Sequence, residues 1–366
     1  MASSTSPLPP LLDRWMREAL GGPMPQERRA TCDDCAMCPA PGGESSDDAV
    51  FFDPATKCCT YMPTLWNFQV GALLGDDSPE AAEGRRTVEA RLAAGIAVNP
   101  LGCMRTPVYE TAYRHIAGAF GRAPSMRCPH YLEDGGRCGV WRARESTCAT
   151  WFCKHERGEV GKALWDRLHQ LLRAAERAVA HWVVLQLDVG DASLGALLPP
   201  PAGAAADLFT PEDFEGPRSP AERARLWGRW SGRERAFFAE AHARVAGLRW
   251  RDIRAIGGVE LAARERLARV AYRHHASASL PARLAVGSFE CTPLPSGGAI
   301  VSSYSYTDPL RLSPVVLEAL RFFDGRSLRA ARVACEAEAG VALEPALLRR
   351  LVDFGVLCPA DPPASS

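Results

Sequence analysis

The chain has no net charge: forty-three basic side chains are matched by forty-three acidic ones. That balance removes any global electrostatic case for binding nucleic acid or a membrane surface. Long apolar runs are also missing. The longest apolar-rich segment, Ala178–Leu187, is interrupted by His181 and Gln186 and is too short to cross a bilayer. The opening text, MASSTSPLPPLLDRWMREAL, has no basic segment followed by an apolar stretch. Neither a signal peptide nor an anchor is expected from it, and a reducing, cytoplasmic setting is. Several enzyme signatures are absent. There is no G-x-G-x-x-G, no Walker-type P-loop, no Ser/His/Asp order for nucleophilic catalysis, and no C-x3-C-x2-C of the radical SAM kind.

What the chain does have is cysteine. Ten of its thirteen cysteines precede residue 154. In a reducing compartment disulfides are rare, so clustered thiols point to metal or redox chemistry. Cys128, Cys138, Cys148 and Cys153 fall within 26 residues, separated by nine, nine and four positions. The text between them holds Gly135-Gly136, charged residues and aromatics, which suits loops wrapped on a metal. Four thiolates satisfy either a structural zinc or a [4Fe–4S] cluster. Upstream, Cys32, Cys35 and Cys38 form C-x2-C-x2-C followed by Pro39, close to the opening of a bacterial-ferredoxin motif without its fourth cysteine. Cys58 or Cys59 is expected to complete that set. Cys103 reads equally as a core residue or a ligand. His130 and His155 read as groups supporting a ligand or as exposed side chains. Cys291, Cys335 and Cys358 are expected to be dispensable for metal.

Residues 30–160 resemble the CxxCxxCC, or YkgJ-type, family of zinc- or iron-chelating proteins. Cys128-Pro129 opens the family block. Cys138, Gly139, Val140 and Trp141 stand for Cys-x-Ile-Tyr, Arg144 for the Arg of Arg-Pro, and Cys148 and Cys153 for the last two cysteines. Glu145 replaces the proline, and Ala149 the arginine after the third cysteine. The resemblance implies metal binding. Its members include both zinc and iron descriptions, so both metals stay open, with an iron–sulfur cluster, one or two of them, favoured by the lack of paired CxxC knuckles.

The expected fold is mainly α with minor β: irregular cysteine-rich loops packed on helices, then a helical region, then a winged-helix-like module. Domain boundaries are placed at 1–197 for the cysteine-rich domain, 198–220 for a Pro/Gly/Ala-rich linker, 221–279 for helices and 280–366 for the last module. Helices are expected at Leu11–Leu20, 79–96, 108–118, a long stretch from Val160, 220–247, 258–276, Pro314–Phe323, Leu328–Ala339 and Pro345–Phe354. Strands are expected around Leu284–Phe289 and Ala299–Tyr306. The text LEALRFFDGRSLRAA followed by LLRRLVDFGVL resembles PqqD-like domains, some of which bind a leader peptide by strand addition. That resemblance implies a protein or peptide partner, with Ala299–Tyr306 as the accepting strand. The sequence thus supports a cytoplasmic iron–sulfur protein for electron transfer or redox sensing with a partner recruited by its C-terminal module. A peptide or protein modification enzyme and a structural zinc scaffold are the alternatives.

Overall fold

A computed structural model describes residues 6–27, 35, 37–38, 52–116, 118–198 and 219–360. Cys32 and nearly all of the expected linker lie outside them. The chain is mainly helical, with small antiparallel sheets. Its contacts divide it into two compact units, one of residues 1–151 and 168–266, the other of residues 152–167 and 267–366.

In the first unit, α1 (Pro10–Leu20) starts with proline at its first turn and ends on Gly21, which takes the left-handed conformation at φ 74°. It buries Leu12, Trp15, Met16 and Ala19. β1 (Leu65–Trp66) leads into α2 (Asn67–Leu74), which is buried on nearly every side. Such a short helix cannot satisfy its surroundings by amphipathicity, and it is held by side-chain hydrogen bonds instead. Asn67 Nδ2 donates to the carbonyls of Pro100 and Ala180, at 3.0 Å each. α3 (Ala82–Ala94) follows, stopped by Gly95, then β2 (Val98–Asn99) and β3 (Gly102–Cys103). β3 is the middle strand between β1 and β2. α4 (Pro107–His115) is capped by Thr106, whose hydroxyl accepts from Tyr109 N at 3.2 Å. The hairpin β4 (Tyr131–Leu132) and β5 (Arg137–Cys138) precedes the single turn α5 (Ser146–Thr150).

The long helix expected from Val160 is α6 (Gly158–Gln186), and Leu164, Leu168, Leu171, Leu172, Ala175 and Val179 of its apolar stripe are all fully buried. α7 (Asp191–Leu197) follows. The helix expected over 220–247 is divided into α8 (Pro220–Trp227), a turn of 3-10 helix, and α9 (Glu234–Ala246). The break falls at Gly228, at φ 51° and ψ −129°, where a β-carbon would lie 2.2 Å from the Val189 carbonyl oxygen. α10 begins earlier than expected, running Trp250–Ala276 with a kink at Gly258. Gly257-Gly258 therefore bends a helix that the sequence reading started there. α6 and α10 contribute residues to both units.

In the second unit, β6 (Arg283–Val286) is the centre of one three-stranded sheet. β7 (Glu290–Pro293), β8 (Ala299–Ser302) and β9 (Leu310–Leu312) form another with β8 in the middle. Then come α11 (Pro314–Ala319), β10 (Asp324–Ser327), α12 (Leu328–Ala339), α13 (Pro345–Asp353) and β11 (Leu357–Pro359). β10 and β11 flank β6. Leu284, Val301, Phe323, Cys335, Leu351 and Phe354 belong to their shared core. Two expectations are corrected here. The strand at Ala299 ends at Ser302 instead of Tyr306. It is also paired on both sides, with β7 and β9, so its backbone groups are already used and it cannot accept a further strand.

Candidate functional site

Seven cysteines from four chain segments of the first unit lie near enough to act on one another electrostatically. Cys38 and Cys35 are hydrogen-bonded through their thiols, and Cys58 interacts electrostatically with Cys38. The adjacent pair Cys58 and Cys59 hydrogen-bond each other side chain to side chain. Cys59 interacts in turn with Cys128 and Cys138, Cys128 with Cys58 and Cys138, and Cys148 with Cys128 and Cys138. The upstream group and the central block, which the sequence reading treated as two ligand sets, thus share one thiol network with Cys128 at its middle. Backbone bonds fix the segments. Cys128 N donates to Cys59 O at 2.7 Å, and Tyr131, on the hairpin strand opposite Cys138, donates its N–H to Cys128 O at 3.0 Å. The short turn that carries Cys58 and Cys59 is closed by Cys59 N donating to Thr56 O at 3.0 Å.

Gly84 lets α3 come against this block: a β-carbon there would sit 1.7 Å from the Gly139 carbonyl oxygen. The sulfur of Cys128 accepts the His130 N–H at 3.4 Å. His130 itself is fully buried, so its exposed reading is corrected. Arg91 can only donate, so the contact at 3.5 Å makes Nε2 of His130 the acceptor, and Nδ1 carries the proton toward Thr87 Oγ1 at 2.8 Å. Burial first, and Arg91 second, lower its pKa to about 3, which keeps it neutral.

The thiols differ electrically. Burial pushes Cys38 and Cys128 up to about 12 and raises Cys148 as well. Cys59 is raised by its hydrogen bond to Cys58 and by burial. Cys58 is lowered to about 7, first by the Cys59 hydrogen bond and then by the charges of Arg144 and Lys57. Lys57 Nζ also donates to Gly136 O at 2.8 Å and so ties the double-cysteine turn to the glycine turn of the hairpin. Metal ligation requires deprotonated thiols, and the proton of Cys58 leaves more readily than those of Cys38, Cys59, Cys128 and Cys148. Tyr61, Tyr109 and Tyr113 pack together beside the network, with ring centroids 5.7 and 5.8 Å apart, and Arg105 lies 5.2 Å from the Tyr61 ring. They lie near enough to Cys58, Cys128 and Cys148 to interact with them electrostatically.

Behind Cys148 lies a buried polar group that the sequence reading missed. Both oxygens of Glu176 accept the Ser146 N–H, at 3.0 and 3.2 Å, and Gln69 Nε2 donates to it at 2.8 Å. Burial, followed by the nearby Glu145 carboxylate, pushes Glu176 up to about 8. Glu145 is raised by burial and hydrogen-bonds with Tyr61 and Thr147. Its Oε1 has no hydrogen-bond partner. The available signal was Glu176 itself, an acid four positions after Leu172 on the apolar stripe of α6. Lys57 also carried a signal, being one of only three lysines in the chain and adjoining the double cysteine.

Cys153 belongs to the second unit, where its carbonyl accepts from Thr307 Oγ1 at 3.0 Å. His155 is buried there as well, against its exposed reading. Its N–H donates to Asp308 Oδ2 at 3.0 Å, Tyr304 donates its hydroxyl to the same carboxylate, and burial lowers the imidazole pKa to about 4. Cys103 is buried in β3, with Arg91 as its charged neighbour. Cys291, Cys335 and Cys358 lie in β7, α12 and β11. No disulfide joins the described cysteines. Among the described residues, no group of three or more Cys, His, Asp or Glu side chains is already arranged around a point that could hold a metal ion. The donor chemistry suits a soft metal, but ligands would have to close on it with loss of thiol protons. No protein-family model, curated protein or solved structure matches the chain.

Proposed function

We propose that this is a cytoplasmic iron–sulfur protein that carries electrons or senses redox state and is directed to a partner by its C-terminal module. The observation that carries this reading is that seven thiols from four segments of one unit act on one another electrostatically. A protein without metal would have little reason to gather so many thiols beside Lys57 and Arg144, because neutral thiols gain nothing from cations. Thiolates around a cluster do, and hydrogen bonds and charges near the sulfurs tune its potential. Cys58, Cys59, Cys128, Cys138 and Cys148 would supply most ligands, with Cys35 and Cys38 extending the set. A bound cluster would supply one-electron chemistry.

The second unit supports the partner role through its order of elements. One strand, β10, lies between α11 and α12, another, β11, follows α13, and both pair with β6, an order in keeping with a winged-helix-like module. β7 is an edge strand of its sheet, and all four of its residues are exposed. Leu294 N donates inward to Gly298 O at 3.1 Å, so in alternation the Cys291 N–H points outward, while Pro293 has none to offer. An extended peptide would pair there.

Anaerobic purification tests the metal reading. Brown protein with about four or about eight irons per chain is expected. Colourless protein with stoichiometric zinc would overturn it and leave a structural zinc scaffold.

A further inference from the structure

Glu145 immediately precedes α5, the single turn that carries Cys148. It is only 5 % exposed, and its two oxygens are treated unequally. Oε2 accepts the Thr147 hydroxyl at 3.3 Å. Oε1 is shut off from water and has no hydrogen-bond partner. A buried carboxylate oxygen left bare costs free energy, and more when the group is ionised. Such a group calls for an ion or a water that completes it. The neighbouring buried acid differs: both oxygens of Glu176 are taken up by Ser146 N, and one of them by Gln69 Nε2 as well.

The bonded oxygen is held from behind by a directional chain. Tyr61 donates its hydroxyl to Thr147 Oγ1 at 3.4 Å, and Arg105 Nη1 donates to the Tyr61 oxygen at 3.0 Å. Arg105 is anchored in turn by Glu110, Nε to Oε1 at 3.5 Å. Each hydroxyl donates toward Glu145 and accepts from behind, so the chain is polarised in favour of a carboxylate at its end. One oxygen hydrogen-bonded and the other bare is the arrangement of a carboxylate that ligates a metal through a single oxygen and is oriented by the groups behind it. The turn also sets Glu145 beside a thiol. Ala149 N donates to Glu145 O at 3.0 Å and closes the turn. Residues three apart around such a turn share a face, as Glu145 and Cys148 do. The Glu145 charge is accordingly felt by the Cys148 sulfur.

We propose that Glu145 Oε1 is a ligand of the metal, alongside Cys148, a role that rests on the metal reading of the thiol network and makes the centre mixed thiolate and carboxylate instead of all thiolate. Thr147 is then a positioning residue, which fixes the carboxylate so that its bare oxygen is the one presented as the ligands close. Iron and zinc both accept thiolate and carboxylate donors. In a four-iron cluster Glu145 would bind one iron while cysteines bind the other three. A carboxylate is a harder donor than a thiolate, so that iron is the one most readily lost.

The experiment loads the full chain anaerobically with 57Fe and reads it by Mössbauer spectroscopy. The wild type should show a doublet of its own for one iron of the cluster, about a quarter of the signal from a four-iron centre. Glu145→Ala should lose that doublet together with the iron that gives it. Glu145→Cys should restore the iron and remove the distinct doublet, because a cysteine restores a ligand but not a buried carboxylate; a merely structural glutamate would not be rescued in this way. Thr147→Val should weaken iron binding about 10–100-fold. Circular dichroism should show each metal-free variant to match the metal-free wild type. A wild-type spectrum identical to that of Glu145→Cys overturns the ligand role and leaves the iron–sulfur reading standing, as does Glu145→Ala with full iron and an unchanged spectrum. If the protein takes zinc instead, the iron–sulfur reading falls and zinc-edge X-ray absorption decides the ligand. An oxygen at about 2.0–2.2 Å beside sulfurs at about 2.3 Å, absent from Glu145→Ala, supports Glu145, and sulfurs alone overturn it. Protein that binds neither metal overturns both.

Discussion

At the residue scale, the most telling position is Glu176, fully buried in the middle of α6. A carboxylate accepting three N–H contacts is well served by hydrogen bonds, yet burial and Glu145 still raise its pKa from 4.5 to about 8. A group raised on folding keeps its proton in the native state at pH values where the unfolded chain has lost it. Its contribution therefore favours folding at the acid end of this window and is lost as pH rises from about 4.5 to about 8. Glu176→Gln should remove that slope, each unit of difference being worth about 1.4 kcal/mol. Urea unfolding of both proteins at pH 5 and pH 8 checks it, and parallel pH profiles would contradict it. His130 acts in the opposite sense: its pKa falls from 6.5 to about 3, so its contribution is present above 6.5 and lost as pH falls. Comparing the wild type with the single Glu176 variant separates the two. Gly84 gives a second residue-level test. Gly84→Ala places a methyl on the Gly139 carbonyl, and since the obstacle is backbone, it should cost about 1–3 kcal/mol in thermal or urea unfolding. A variant as stable as the wild type would show that α3 can move away from the hairpin freely.

At the element scale, legibility followed periodicity. α6, α12 and α13 were readable because apolar positions recur at helical spacing and end at Gly or Asp. α10 was half readable, because Gly257-Gly258 looks like a start in one dimension and is a kink in three. β10 was not readable: Asp324-Gly325 has turn chemistry, and only pairing with Ala285 and Arg283 of β6 makes it a strand. The thiols were legible as candidates but not as a network. Spacing grouped Cys128, Cys138 and Cys148 together, whereas the bond from Cys128 N to Cys59 O, sixty-nine residues apart in the chain, has no local signal. The same limit misplaced the peptide edge at β8. With β7 as the edge, Cys291 offers the outward backbone donor, so Cys291→Pro should leave the fold intact and abolish capture of partners in a pull-down from the native cell. Undiminished capture by the proline variant would remove β7 from the recruiting role.

At the scale of the whole molecule, the segments that supply thiols span residues 35 to 148 of the first unit, and the described ones include turns with little regular structure. Loops of this kind bury few apolar groups, so their order depends on whatever draws the sulfurs together. Metal binding to such a set is coupled to folding, because the unfolded chain holds no preformed site. The second unit has its own core of Leu284, Phe323, Leu351, Phe354 and Leu357, and Arg157 joins Asp353 within it through contacts of 2.6 and 2.8 Å. Its stability should owe nothing to metal. Hydrogen exchange on iron-loaded and chelator-treated protein tests this directly. Iron should slow exchange over residues 52–66 and 126–151 by a large factor while leaving the strands between 283 and 359 unchanged. Cys128→Ser should mimic chelation, since Cys128 sits at the middle of the network, and Cys335→Ser should not, provided its packing in α12 is kept. Metal-dependent protection spread equally over both units would mean that the thiol network does not fold as a local centre, and the assignment of a metal site to the first unit would fall with it.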